Sequence, residues 1–187
     1  MLYNNLDRCM GMLPVNLRQR IQKKSDINAK VCSLGGALLL KMVAEETGTD
    51  ISKVVYAEKG KPYIPDSDFY FSISHTKGYA AISYGNAPCG CDIQVDKDVN
   101  LKIAERFFSL KEQDAVLNIN EKQKTFFNIW CRKESAYKLG GQNYCTMENE
   151  DNYIFKDFIL KNNLFLCVCA ADGEISNPKL TDFNTVF

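Results

Sequence analysis

Helical periodicity followed by short strand-like runs occurs twice along these 187 residues, and this doubled order constrains the fold more than any single segment. In the first half, residues 14–23 and 26–46 read as helices. Pro14 suits a helix start, Ser25 or Asp26 can cap the second helix, and Gly48 can end it. Strand-like runs follow at 54–57, 70–74, 79–84 and 89–95, separated by the turn signals Lys59-Gly60-Lys61-Pro62, Lys77-Gly78 and Gly85-Asn86. In the second half a helical pattern extends over 101–139, and 153–160 with 164–170 predict a hairpin turning at Lys161-Asn162-Asn163. No residue-level repeat accompanies the shared order. The expected fold class is α/β in the α+β sense: two similar lobes in tandem, residues 1–87 and 88–187, joined near 86–90. Residues 140–151 read as a polar loop, and 172–187 as a segment wrapping the surface.

With 45% hydrophobic residues the chain can bury a sizeable core. Twenty-three basic residues balance 23 acidic ones, so no global field draws it to nucleic acid or an anionic membrane. Any anionic ligand must be held locally. The first ten residues carry Asp7 and Arg8 and lack the apolar run of a signal peptide or membrane span, which predicts a soluble cytoplasmic protein. In that setting the eight cysteines read as reduced, mostly buried thiols. Cys89 and Cys91, like Cys167 and Cys169, alternate along strands, where cysteine packs as a small hydrophobe. One histidine and no CxxC pair argue against a zinc site.

On a helix over 121–139, Phe127, Trp130, Glu134 and Lys138 form one stripe, putting a carboxylate and an ammonium one turn apart beside a large aromatic ring. Phe126, Phe127 and Trp130 are read as core. A glutamate four residues before a lysine is also an ordinary surface pair, so this segment alone declares no site. The same ambiguity attends other candidates. His75 follows a strand and reads equally as a structural histidine; Ser74 can cap a strand end; Gly60-Lys61-Pro62 is also simply a good bend.

Order resolves part of this ambiguity. Gly60-Lys61-Pro62, Phe71-Ser72-Ile73-Ser74-His75-Thr76, Gly90-Cys91-Asp92-Ile93-Gln94, Phe107-Phe108 with Glu112, and the Trp130 to Gly140 helix succeed one another. The set resembles the 4′-phosphopantetheinyl transferases, in the larger pseudo-dimeric, surfactin-synthetase-activating class that serves peptide synthetases, polyketide synthases and similar carriers. The resemblance spans Lys61 to Gly140, a little under half the chain. It implies two α/β lobes forming a monomer with an internal pseudo-twofold, with coenzyme A in the cleft between them. It also implies a magnesium ion on the coenzyme's diphosphate and transfer of the phosphopantetheine arm to a serine of an apo carrier protein. By position, Asp92 and Glu134 match the family's metal-binding carboxylates, and Glu112 the acid that follows its double phenylalanine. Ser74 and His75 match the pair on the coenzyme phosphates, and Lys61 and Lys138 the lysines lining the site. Lys30, Arg18 and Arg20 lie where the family draws basic residues for the 3′-phosphate.

The chain departs from the family at Gln94, where a third carboxylate is frequent. Magnesium takes six oxygens and readily keeps waters, so Asp92, Glu134, diphosphate and water suffice, with Gln94 contributing weakly or through water. The implied chemistry is electrostatic: charge develops on the leaving adenosine bisphosphate, the cation acts as Lewis acid and template, and Lys138 neutralises a phosphate oxygen. Glu134, a metal-held water and Glu112 are the candidate bases for the serine proton. The competing reading is a non-catalytic coenzyme- or carrier-binding module whose third acid became Gln94. Which carrier is served, and whether free or acylated coenzyme is preferred, is not written in these residues.

Overall fold

The computed structural model describes residues 5–140 and 153–183. The described residues open with three helices, α1 (Leu6–Gly11), α2 (Val15–Gln22) and α3 (Ile27–Thr47). Asp26 caps α3 by accepting from Ala29 N, and Gly48 ends it in the left-handed conformation at φ 73°, which only glycine adopts without strain. By length and composition α3 is apolar enough to cross a membrane; here Leu34, Leu38 and Leu40 are buried against Leu13, Leu17, Ile21 and Phe71. At Gly36 it packs so tightly that a Cβ would lie 2.6 Å from Ile73 Cγ2.

Two antiparallel pairs follow: β1 (Val55–Tyr56) with β2 (Pro62–Tyr63), and β3 (Tyr70–Thr76) with β4 (Tyr79–Gly85). The second half is built on a three-stranded antiparallel sheet in the order β5 (Cys89–Val95), β7 (Leu164–Ala170), β6 (Ile154–Leu160). Between β5 and β6 lie α4 (Leu101–Phe107), α5 (Leu110–Leu117) and α6 (Lys122–Leu139). The single helical pattern expected over 101–139 is therefore three helices. Phe108 is extended at ψ 144°, and Ser109 with Glu112 forms a capping box that starts α5 afresh.

The mixed α/β class holds, while the order of elements differs between the two halves. The second lobe begins on β5 ahead of its helices, whereas among the described residues the first begins with helices. Two short elements, α1 and β2, arise where no periodicity announces them, and the expected polar loop over 140–151 lies, beyond Gly140, outside the described residues.

The halves meet through hydroxyls instead of a continued ladder. Ser72 and Ser74 share one face of β3, and their Oγ atoms accept from Cys91 N and Ile93 N of β5 at 3.2 Å each. Both serines are buried. These bonds satisfy the backbone donors on the free edge of β5, which burial would otherwise leave unpaired. Seven described cysteines are free, and burial pushes the thiols of Cys89, Cys91, Cys131, Cys167 and Cys169 upward, so they pack as apolar groups and not as nucleophiles.

Candidate active site

Helix α6 lies on β5 and β7 because its inner stripe is apolar or small: Phe127 stacks on Phe165 at 5.2 Å, Cys131 is buried, and Ser135 sits over Cys167. Gly90 lets it descend. A Cβ at that position would come within 1.9 Å of Ser135 O and 2.7 Å of Leu139 N, so only glycine permits this contact. Phe107 and Phe108 pack on Trp130 from the outer side, with centroids 5.6 and 6.5 Å away.

This seating delivers the last turn of α6 to the middle of β5. Lys138 Nζ donates to Asp92 Oδ1 at 2.6 Å and to Ser74 Oγ at 2.9 Å, while Ser74 Oγ donates to the same carboxylate oxygen at 2.7 Å. Gln94 Nε2 occupies the other oxygen at 2.9 Å. Asp92 is 2% exposed, so its charge requires all these partners. Burial works to lower the Lys138 pKa, but the carboxylates of Asp92 and Glu134 outweigh it and hold it above the ordinary lysine value. Lys138 therefore stays charged throughout the neutral range, and both Asp92 and Glu134 lie within electrostatic reach of one ammonium.

Beside this corner is a cavity of about 210 Å³ lined by Arg20, Lys24, Ser33, Tyr56, Gly60 and His75, among others. Arg20 stacks over the Tyr56 ring at 4.0 Å. His75 stands at the exposed rim. Desolvation, then the charges of Lys138 and Lys24, hold it below the ordinary histidine value, so three cationic or ionisable groups converge where an anion would enter. A larger cavity, about 410 Å³, lies between α3, β4 and residues 172–181. It includes neither Asp92 nor any residue of α6, so charge and position favour the smaller one as the ligand site.

Several expected residues take other positions. Lys61 is outside the cavity lining: its ammonium donates to Leu139 O at 3.2 Å and Cys89 O at 3.5 Å, tying the first half to the C-terminal end of α6. Lys61→Met is expected to lower the thermal midpoint by a few degrees, read by calorimetry; an unchanged midpoint would show that these two bonds do not hold α6. Glu112 is engaged in the α5 capping box and pairs with Lys133 Nζ at 3.0 Å, beneath which the lysine is 4% exposed. Its carboxylate is thus committed to a buried cation. Arg18 and Lys30 are absent from the cavity lining, where Arg20 and Lys24 stand.

Two comparisons bear on this geometry. Residues 88–168, from β5 through most of β7, match the family model described as the 4′-phosphopantetheinyl transferase superfamily. Over that segment the chain is similar to this superfamily. Over 144 residues it is 31% identical to 4′-phosphopantetheinyl transferase Sfp of Bacillus subtilis (strain 168), covering 73% of this chain and 63% of that protein. It is 33% identical over 121 residues to 4′-phosphopantetheinyl transferase psf-1 of Bacillus pumilus, covering 62% and 52%. To 4′-phosphopantetheinyl transferase gsp of Aneurinibacillus migulanus it is 31% identical over 113 residues, 58% and 47%. The chain thus spans less than two thirds of the length of these relatives. The superfamily segment contains Asp92, Glu112, Glu134 and Lys138, whereas every residue lining the cationic cavity lies ahead of it.

Sequence reasoning missed Ser72, Lys24, Tyr56 and the clearance at Gly90. The alternation Ser72-Ile73-Ser74 on a strand was a legible sign of a polar face. Lys24 carries no local signal, because only the packing of α2 on α3 brings it to the cavity.

Proposed function

We propose that this chain transfers the 4′-phosphopantetheine arm of coenzyme A to a serine hydroxyl of an apo carrier protein, with the coenzyme between lobes 1–87 and 88–187. The observation that carries the proposal is the buried Asp92, held by Ser74 and Lys138 next to a cationic cavity. Arg20, Lys24 and His75 suit the coenzyme's phosphates, and Lys138 suits the diphosphate oxygen on which charge develops. The serine oxygen bonds to phosphorus as the bond to adenosine bisphosphate breaks, and Glu134, half-buried beside Lys138, is positioned to accept the serine proton.

The family implies magnesium. Among the described residues no group of three or more His, Cys, Asp or Glu side chains is placed to hold a metal. The donor set is nevertheless chemically apt: Asp92 and Glu134 offer hard oxygens, the first bonded to Lys138 and the second acting on the same ammonium electrostatically. Two carboxylates and one ammonium sum to one negative charge, so a divalent ion is best accommodated together with an anionic diphosphate. Asp92 and Glu134 are the residues that would hold it, and it would supply Lewis acidity to the phosphorus.

Gln94→Glu tests this directly. The wild-type amide neutralises nothing yet donates to Asp92 Oδ2; glutamate there sets two carboxylates together, which is unfavourable without a cation and favourable with one. The expected result is lower thermal stability without magnesium and a lower magnesium concentration for half-maximal transfer. An unchanged magnesium dependence would remove residue 94 from the ion's surroundings, and a wild type that binds coenzyme A without transferring it would favour the binding-module reading.

His75 gives a pH signature. Its folded pKa lies below the unfolded value of about 6.5, so the unfolded chain takes up the proton first and stability falls as pH drops through that value. Coenzyme phosphate beside the ring reverses the preference. Thermal midpoints between pH 7.5 and 5.5 are expected to decline less with coenzyme A than without it, shallowly because the rim is solvated, and His75→Gln is expected to abolish the difference. An identical slope with and without coenzyme would move the phosphates elsewhere.

A further inference from the structure

Beneath α6 the sheet presents one row across its three strands: Asp92 of β5 lies opposite Cys167 of β7, which lies opposite Asp157 of β6. Each is met by a side chain from α6 three residues further along. Lys138 reaches Asp92, Ser135 Oγ donates to Cys167 Sγ at 3.4 Å, and Arg132 donates to Asp157 Oδ2 from Nε at 2.8 Å and Nη2 at 2.5 Å. The Arg132 contact is the outermost of the three, on the flank away from Asp92. Asp157 Oδ1 is buried without a hydrogen-bond partner among the described residues, so Arg132 is the cation that compensates the charge there.

Arg132 and Glu134 stand two residues apart, about 200° around a helix of 3.6 residues per turn, and Lys138 returns one turn later on the Glu134 flank. A helix tethered on one flank resists rolling, and a helix about 10–12 Å across that rolls by 10° carries its side-chain tips by about 1 Å. Displacements of that size at a reacting centre cost about a hundredfold in rate. We infer that the Arg132–Asp157 pair is a positioning device that fixes the roll of α6 and thereby sets Glu134 and Lys138 against Asp92. The inference rests on the proposed transfer reaction for its kinetic consequence. The side chains of Arg132 and Asp157 are 42% and 26% exposed, so the pair is partly solvated and replacing both partners together costs little stability; its function is geometric.

The test separates fold from geometry. The double variant Arg132→Met with Asp157→Leu removes the pair without leaving an unpaired charge, and such replacements are commonly neutral in stability. It is expected to melt within a few degrees of wild type and keep its coenzyme KM, while kcat falls about tenfold or more. Arg132→Lys, which keeps a charge on Asp157, is expected to retain kcat within a few-fold and serves if the double variant fails to fold. In parallel, the Lys138 side-chain nitrogen followed by NMR is expected to shift toward an ordinary exposed lysine in the double variant and to stay in place in Arg132→Lys. A folded double variant with wild-type kcat and an unmoved Lys138 resonance overturns the inference, as does an Arg132→Lys protein that folds yet loses both. A wild type that transfers to no carrier sinks the proposed function instead, and the Lys138 resonance then still decides the positioning claim.

Discussion

Gly90→Ala is expected to unseat α6 and abolish transfer. The added methyl group would meet two backbone atoms, Ser135 O at 1.9 Å and Leu139 N at 2.7 Å, and no rotamer change relieves a clash with backbone. The helix must lift or slide, and close-packed interiors transmit such shifts instead of absorbing them. Overpacking of this kind costs about 3 kcal/mol or more, corresponding to a fall of about 6–12 °C in Tm for a chain of this size. Because Lys138 and Leu139 form the displaced turn, the contacts to Asp92 and Lys61 are lost together. Calorimetric melting and a transfer assay on the purified variant check both halves. A variant with wild-type melting would mean that α6 stands further from β5 than described.

Asp92→Ala is expected to remove nearly all activity, by about 10²–10³-fold or more, because it deletes the group that holds Lys138 and Ser74 in place and one of the two carboxylates proposed for the cation. The fold should survive. Lys138 is 25% exposed in its side chain and can turn to water, so the stability loss is expected to be about 1–3 kcal/mol, the cost of orphaning Ser74 and part of the ammonium. Circular dichroism with a denaturant titration separates the two effects. Loss of the fold, or transfer within a few-fold of wild type, would show that Asp92 is a structural acid alone.

The helices that rest on local signals were legible in the chain: Asp26 and Gly48 bracket α3, and the hairpin of β6 and β7 turns at Asn162 and Asn163, both at positive φ. The break of the 101–139 pattern was also written there, in Ser109-x-x-Glu112, and was hidden by continuous apolar periodicity on both sides. What sequence order does not encode is partnership. Lys61 and Lys133 look alike as charged residues near turns and helices, yet one binds the carbonyls of Leu139 and Cys89 and the other, itself buried, pairs with the partly exposed Glu112, because tertiary packing decides which acceptor each ammonium finds. The same holds for Asp92, which meets Ser74 and Lys138 from 18 and 46 residues away. The Arg132–Asp157 pair had no sequence signal, since an arginine on a helix and an aspartate on a strand 25 residues later are ordinary in isolation.

The most direct measurement of the central claim is intact mass of a panel of apo carrier proteins incubated with coenzyme A, magnesium and this protein, with the Asp92→Ala variant alongside. At least one carrier is expected to gain the mass of a single phosphopantetheine arm on its serine with the wild type, and none with the variant. Carriers left unmodified by a folded wild type that binds coenzyme A, or modified equally by both proteins, would contradict it.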